Sequence, residues 1–238
     1  MIAIILAAGQ GIRLGYDIPK TMVEVEGVPL IRRQINILKR LNINKIFIVI
    51  GQGKVWKEEN QGKLLDMVKP DEVEVIINQD SLTTQSPASL RLALRNIDED
   101  CVIIDGDLAF GPGIIETISD SEQNTILISE NIDKKGSKVI VRSEPREGYL
   151  LHSIGETLES DYVYSGIMRI QKNDLSTFRD SLNTKKYDEE ILAIFLGDIC
   201  KKVSIYCVKL LKERYGHRFL ELAQMAGGSF AKTSRIIK

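Results

Sequence analysis

The 238-residue chain has almost no net charge and no long apolar run. Its 32 lysines and arginines nearly balance 33 aspartates and glutamates, so the formal net charge is −1. This excludes a general basic field that would attract nucleic acid or an anionic membrane. The first apolar run stops at Ala8 without a basic residue before it, so we expect neither a signal peptide nor a membrane span. With 43% hydrophobic and 27% charged residues, the composition is typical of a globular protein.

Cysteine, histidine and tryptophan are scarce, which narrows the chemistry. An odd number of cysteines in apolar surroundings argues against a disulfide framework or a zinc site. We interpret them as buried, reduced thiols of a cytoplasmic protein: Cys101, Cys200 and Cys207. His152 and His217 are the only histidines, and neither has an acid or nucleophile nearby in sequence, which favours structural roles. Trp56 is interpreted as a packing residue on a polar helix.

The spacing of apolar residues predicts one continuous α/β domain. In the first part, short apolar runs alternate with helical spacing, which is typical of a parallel sheet with helical crossovers. The predicted strands there are 2–6, 45–50, 73–77 and 101–104, and the predicted helices are 29–41, 54–68, 87–95 and 112–118. The second part has more strands, predicted at 125–129, 138–142, 149–154, 162–170 and 203–208. Its predicted helices are 173–182, 188–201 and 209–226, before a polar tail at 227–238.

A glycine-containing loop follows the first strand. Residues 6–14 read LAAGQGIRL, and Pro19-Lys20 comes shortly after them. Glycines there let several backbone N–H groups point at one phosphate, while Arg13 and Lys20 supply cationic donors. A dinucleotide fingerprint is excluded because Leu14 stands where its third glycine belongs. A P-loop is excluded because Pro19, which has no N–H, precedes the lysine.

This loop resembles the signature of the nucleotidyltransferases that activate sugar phosphates and related compounds. The resemblance implies a Rossmann-like domain with a mixed sheet flanked by helices, as in nucleotide-diphospho-sugar transferases. It also implies that Arg13 contacts the leaving pyrophosphate and that Lys20 bridges the α-phosphate and the acceptor phosphate. The loop residues implied to bind the nucleotide are Leu6, Ala7, Ala8, Gly9 and Gly11.

Two carboxylates follow the fourth predicted strand, in the sequence Asp105-Gly106-Asp107. The carboxyl ends of parallel strands face the ligand cleft of open α/β sheets, and carboxylate oxygens suit Mg²⁺. In the resembling family the second aspartate of this motif holds the metal, so we expect Asp107 to bind Mg²⁺ with Asp105 as its partner beside the nucleotide. That family also supplies an acidic ligand before its final helix, and Glu213 stands at the nearest spacing here.

The loop after the third predicted strand carries amide and hydroxyl groups that suit a base edge. The spacing of its residues resembles that of the choline-phosphate cytidylyltransferase branch, with Thr84-Gln85-Ser86 in place of a Thr-Asn-Asn triplet. The alternative interpretation is a helix cap, with Ser86 before Pro87 at the first helical position. The candidate nucleotide-binding residues are Asn78, Gln79, Thr84, Gln85, Ser86 and Ser89.

Two later segments, 154–158 and 164–167, resemble the same branch. We expect Gly166 to give the acceptor close access to the backbone. Glu156 stands where that branch has lysine, which reverses a charge near the acceptor. We expect residues 1–110 to form the nucleotide-binding part and residues 111–226 the acceptor-binding part.

Together these features predict a Mg²⁺-dependent transfer of CMP from CTP, or of another nucleotide from its NTP, to a small phosphorylated or phosphonate acceptor. The alternatives are a sugar-1-phosphate nucleotidyltransferase that uses UTP or dTTP, and a nucleotide-binding domain without catalysis. The sequence leaves open whether the chain forms a homo-oligomer.

Overall fold

A nine-stranded mixed sheet flanked by helices forms the single domain. The structure is a computed structural model that describes residues 1–11, 17–71, 73–130, 136–144, 148–210 and 235–236. Its strands are β1 (Ile2–Leu6), β2 (Glu24–Val25), β3 (Val28–Pro29), β4 (Ile46–Ile50), β5 (Glu74–Ile77), β6 (Cys101–Asp105), β7 (Leu108–Ala109), β8 (Thr125–Glu130), β9 (Lys138–Glu144), β10 (Gly148–Gly155), β11 (Tyr162–Ile170), β12 (Tyr206–Lys209) and β13 (Arg235–Ile236). Its helices are α1 (Leu30–Arg40), α2 (Glu58–Val68), α3 (Ser86–Leu94), α4 (Pro112–Ser119), α5 (Leu175–Asn183) and α6 (Leu192–Ile199).

Four parallel strands make up the first half of the sheet, in the order β5-β4-β1-β6. All five residues of β1 and of β4 are buried, as expected of apolar strands covered on both faces. Because these strands run in one direction, the loops that follow them meet at one edge of the sheet. The glycine loop, the 78–85 loop and the Asp105-Gly106-Asp107 turn are therefore neighbours.

The second half of the sheet is mixed. β11 runs antiparallel to both β6 and β8, and β12 lies between β8 and β10. β9 pairs along β10 and also touches β11 through Val163 and Lys138. Strands β11, β8, β12, β10 and β9 thus form a curved ring beside the parallel half.

The two faces of the sheet carry separate cores. One face packs against α3, α5 and α6, with Phe178 and Phe195 in an edge-to-face contact at 5.9 Å between ring centroids. The other face packs against α1, α2 and α4 through residues such as Ile35, Leu64 and Ile115. The α/β architecture and the mixed sheet expected from the sequence are confirmed. None of the helices in the described part of the chain is long and apolar enough to cross a membrane.

Several predicted element boundaries differ in the structure. The helix predicted from residue 54 begins at Glu58, because Gly53 and Lys54 adopt positive φ in a turn that closes through Trp56. The helix predicted from residue 188 begins at Leu192, and the last predicted strand is shifted to Tyr206–Lys209. Of the predicted helix 209–226, Lys209 is in β12, and residues 211–226 lie outside the described part. Within the predicted tail, Arg235–Ile236 pairs in parallel with β7.

Two of the three cysteines are buried, as the sequence predicts. Cys101 and Cys207 are buried, and burial raises the pKa of each thiol to about 12, which makes both unreactive. The prediction that Cys200 is also buried is wrong, because this residue is partly exposed. It ends α6, where its thiol hydrogen-bonds the carbonyl of Gly197 at 3.3 Å.

Candidate active site

The start of the glycine loop packs tightly against Trp56 and Gly51. Ala7 and Ala8 are buried, and the indole N–H of Trp56 donates to the carbonyl oxygen of Ala7 at 3.2 Å. A Cβ on Gly51 would lie 2.7 Å from the carbonyl oxygen of Ala8, so only glycine fits there. Trp56 is therefore a packing residue, as expected, but it packs directly beneath this loop.

Lys20 lies against the glycine loop. Gly11 has φ +58°, and a Cβ there would come 3.3 Å from Cγ of Lys20, so the lysine stem passes close to the loop backbone. Lys20 opens a short 3-10 turn, Lys20–Met22, directly after Pro19. Arg13, the other predicted cation, lies outside the described residues.

The structure brings Lys20 and Asp107 together although 87 positions separate them. The Nζ atom of Lys20 lies 3.1 Å from Oδ2 of Asp107, and both side chains are partly exposed, at 32% and 25%. A partly solvated pair of this kind contributes little to stability, about 1 kcal/mol or less. Both groups also remain accessible to a ligand at the edge of the sheet.

The turn that carries Asp107 packs onto the start of the glycine loop. The backbone N–H of Gly106 donates to the carbonyl of Leu6 at 2.8 Å. A Cβ on Gly106 would lie 2.9 Å from Cβ of Ala7, so the close approach requires glycine. The phosphate-binding candidate and the acidic turn thus form one packed unit.

Asp105 lies between this turn and β11. Gly166 has φ +85°, and a Cβ there would come 2.6 Å from Oδ2 of Asp105. Gly166 is buried, and its neighbour Ile167 pairs with Ile104 of β6. The two predicted residues Asp105 and Gly166 are therefore in direct contact.

Asp107, the predicted metal ligand, lies at this edge with its predicted partner Asp105 two positions earlier. The described residues contain no group of three or more histidine, cysteine or acidic side chains that could enclose a metal. Mg²⁺ needs no such cage, since it takes one or two carboxylates and completes its shell with waters and phosphate oxygens. The donor set fits Mg²⁺ bound together with a nucleotide. Glu213, the other predicted ligand, lies outside the described residues.

The loop 78–85 is organised by Asn78. Its buried side chain donates from Nδ2 to Thr84 Oγ1 and Ser89 Oγ, each at 3.1 Å, and accepts from the backbone N–H of Asp80. Asn78 and Ser89 therefore fix the shape of the loop. Gln79 is exposed and Thr84 is partly exposed at its surface.

The start of α3 is joined to the segment before α6. The backbone N–H of Gln85 donates to the carbonyl of Asp188 at 2.7 Å, and Ser86 Oγ accepts from the N–H of Leu192 at 3.2 Å. Arg91 binds the same segment through a salt bridge to the carboxylate of Asp188. The alternative interpretation of Ser86 as the helix cap is wrong, because Gln85 occupies that position without a side-chain cap bond.

Glu156, a candidate acceptor residue, is exposed just after β10. Its carbonyl oxygen accepts a hydrogen bond from Nζ of Lys138 at 2.5 Å. This bond uses the backbone only, so it does not neutralise the Glu156 carboxylate.

Two structurally central residues were not predicted from the sequence. Ser81 is buried and joins the loops: its Oγ accepts from the N–H of Gln52 at 2.9 Å and from Nε2 of Gln10 at 3.3 Å. Gln34 of α1 donates from Nε2 to the carbonyls of Asp105 and Leu108, on either side of Asp107. The signal for Gln34 was its position inside the apolar stripe of α1, between Ile31 and Leu38, where a polar residue needs a partner.

Curated relatives were found over most of the chain. A CMP-5'-(3-aminopropyl)phosphonate synthase from Streptomyces rubellomurinus is 26% identical over 145 residues, which is 60% of this chain and 23% of that protein. The bifunctional protein GlmU from Methanococcus aeolicus is 27% identical over 215 residues, which is 88% of this chain and 49% of that protein. The chain thus spans less than half the length of either relative.

Solved structures share the fold. The inositol-1-phosphate CTP transferase from T. maritima superposes with a TM-score of 0.71 at 20% identity, covering 95% of this chain and 96% of that one. The CTP:phosphocholine cytidylyltransferase from Streptococcus pneumoniae gives 0.68 at 21% identity, with coverages of 88% and 90%. Residues 3–159 match the family model of the MobA-like NTP transferase domain. The chain therefore belongs to the MobA-like NTP transferase family.

Proposed function

We propose that the chain transfers CMP from CTP to a small phosphorylated or phosphonate acceptor and releases pyrophosphate. The observation that carries this proposal is the Lys20–Asp107 pair, at 3.1 Å, beside the glycine loop. A mobile cation, a carboxylate and a loop of backbone donors meet there at the ligand-binding edge of a parallel sheet. This set can bind a nucleoside triphosphate and neutralise charge on the phosphorus that is attacked.

In the proposed reaction, an oxygen of the acceptor phosphate attacks the α-phosphorus of CTP in line with the leaving group. A new P–O bond forms, the bond between the α-phosphorus and the bridging oxygen breaks, and pyrophosphate leaves with that electron pair. The attacking oxygen is already anionic at neutral pH, so the step needs no general base. This agrees with the sequence, in which neither histidine has an acid or nucleophile nearby.

The chain's own residues then act by positioning and by charge. Lys20 contacts the α-phosphate and the acceptor phosphate, and Arg13 contacts the leaving pyrophosphate. When bound by Asp107 with Asp105, Mg²⁺ would supply further charge neutralisation at the phosphates. The backbone around Ala8, Gly9 and Gly11 binds the phosphates.

The loop 78–86 is proposed to bind the base. Gln79 and Thr84 have accessible side chains there, while Asn78 and Ser89 hold the loop from within. CTP is proposed because the name of the Streptomyces relative specifies a CMP product. The names of the two structural neighbours described above also specify CTP.

The acceptor is proposed to bind beside Gly166, with Glu156 near its other end. The names of these relatives specify a phosphonate, an inositol phosphate and phosphocholine, so their acceptors share a small size and an anionic phosphorus group. We therefore propose that the nucleotide site lies within residues 1–110 and that the acceptor-binding residues come from within residues 111–226.

A pyrophosphate-release screen tests the proposal. ATP, GTP, CTP, UTP and dTTP are each combined with a panel of phospho- and phosphono-compounds and sugar 1-phosphates, with Mg²⁺ present. Turnover with CTP and a phospho- or phosphono-acceptor is expected. Turnover with UTP or dTTP and a sugar 1-phosphate would replace this proposal with the sugar-nucleotide alternative. Nucleotide binding without pyrophosphate release under every condition would indicate a non-catalytic domain.

A further inference from the structure

Gln34 contacts both ends of the Asp107 turn. It lies in α1 with 1% of its surface exposed. Its Nε2 donates to the carbonyl of Asp105 at 3.1 Å and to the carbonyl of Leu108 at 2.9 Å. One side-chain amide therefore connects Asp105 and Leu108, the two ends of the turn that carries Asp107.

The orientation of this amide is fixed by its partners. Both are carbonyl oxygens, which only accept, so the NH₂ end of Gln34 has to face them. The Oε1 atom is then buried, and it has no hydrogen-bond partner in the described part of the chain. A buried polar atom without a protein partner is unfavourable, and the two hydrogen bonds that the NH₂ group donates to the turn offset this cost.

The same helix is also connected to Lys20. The N–H of Leu30, the first residue of α1, donates to the carbonyl of Val23 at 3.0 Å. The N–H of Val23 donates to the carbonyl of Lys20 at 3.1 Å. Helix α1 thus holds the Lys20 turn at its start and the Asp107 turn about one helical turn later.

We propose that Gln34 is a positioning residue that sets the separation of Asp107 from Lys20. The catalytic part of this inference rests on the proposed nucleotidyl transfer. Without the amide, the carbonyls of Asp105 and Leu108 lose a buried donor and the turn relaxes. Asp107 then leaves the place at which it meets Lys20 and the phosphates.

The test replaces Gln34 with methionine, which has a similar length and no donor. In Gln34→Met, kcat for pyrophosphate release is expected to fall by about tenfold to a hundredfold, since a misplacement of reacting groups by about 1 Å can cost about a hundredfold. KM for CTP should change less than kcat, because Gln34 is bonded to the turn and not to the glycine loop, whose backbone still binds the phosphates. Without any nucleotide, hydrogen–deuterium exchange in a peptide spanning residues 105–108 should become faster.

Asn124→Leu is the matched control. Asn124 is a buried amide at the opposite edge of the sheet, where it donates to Ser204 and accepts from the N–H of Gln171. Its loss should lower Tm but leave kcat of the folded protein and exchange at 105–108 unchanged. This separates positioning of the turn from a general loss of stability.

A second variant covers the case in which Gln34→Met does not fold. In Gln34→Glu, burial favours the protonated carboxyl group, which can donate one hydrogen bond to the two carbonyls. Relative to wild type, its kcat should fall as pH rises through the folded-state pKa, because the carboxylate form has no donor. A ratio to wild type that stays near one at pH values at which titration shows the new carboxyl group to be ionised would contradict the role of the donor.

The two proposals fail in different ways. If wild type releases no pyrophosphate with any nucleotide, the proposed function is wrong, and the exchange experiment still decides whether Gln34 holds the turn. If wild type is active but Gln34→Met keeps its kcat, the positioning role is wrong whatever the exchange rate. Unchanged exchange at residues 105–108 would likewise overturn it.

Discussion

Gly166→Ala should damage both stability and activity, through one contact. Gly166 is buried with φ +85°, a conformation that L-residues rarely adopt. A Cβ there would lie 2.6 Å from Oδ2 of Asp105 and 3.1 Å from Cδ1 of Leu108. Removing this steric clash requires a shift of the Asp105 carboxylate, of the turn that follows it, or of β11. Each of these movements disturbs the proposed nucleotide and acceptor site.

The magnitude follows from two contributions. The left-handed backbone costs about 1–2 kcal/mol for a residue with a Cβ, and overpacking adds about 1–3 kcal/mol. We expect a loss of about 3 kcal/mol in the free energy of unfolding. For a chain of this size that lowers Tm by roughly 6–12 °C.

Gly136→Ala is the matched control for the backbone contribution. Gly136 also has φ +85°, but a Cβ there would meet no atom of the described residues within 4 Å. We expect a loss of only about 1–2 kcal/mol, since the overpacking contribution is missing. Pyrophosphate release should then be unaffected at a temperature at which the protein is folded.

The assay combines thermal unfolding by circular dichroism with steady-state pyrophosphate release well below both Tm values. Equal losses of Tm in the two alanine variants would show that the contact with Asp105 contributes nothing. A normal kcat in folded Gly166→Ala would show that Asp105 and Gly166 lie outside the reacting region.

Three further predictions concern the charged groups and the base. Lys20→Ala should keep the fold but lower kcat about a hundredfold, since a lost transition-state contact costs on the order of 3 kcal/mol; a near-normal kcat would refute the role of Lys20. Asp107→Asn should remove Mg²⁺-dependent activity more completely than Glu213→Gln, and the reverse order in a Mg²⁺ titration of both variants would make Glu213 the main ligand. CTP should give the highest kcat/KM of the five nucleotides, and Thr84→Ala should reduce that preference. An equal or higher kcat/KM with UTP, dTTP or ATP would show that the 78–86 loop does not select cytosine.

Local patterns in the sequence predict the parallel half of the fold. The short, β-branched apolar runs of β1, β4 and β6 favour strands covered on both faces, and the loops after such parallel strands share an edge. The same patterns therefore predict that the glycine loop and the Asp105-Gly106-Asp107 turn are neighbours. The 3.1 Å pair between Lys20 and Asp107 agrees with that placement.

Long-range contacts cannot be predicted in the same way. The segment before α6 is predicted to be helical, because its spacing fits a helix. In the structure its backbone instead binds Gln85, more than 100 positions earlier, and Arg91 fixes Asp188. The roles of Gln34 and Ser81 likewise depend on partners that no local pattern specifies.

The position of β12 has a consequence for the order in which the chain can fold during synthesis. β12 pairs with β8 on one side and with β10 on the other, although both strands are made more than 50 residues earlier. The four parallel strands β5, β4, β1 and β6 are complete once residue 105 has emerged from the ribosome. The mixed half has to wait with a gap between β8 and β10 until residues 206–209 arrive. A nascent chain halted before that point exposes two unpaired strand edges, which can pair with other chains or be bound by a chaperone.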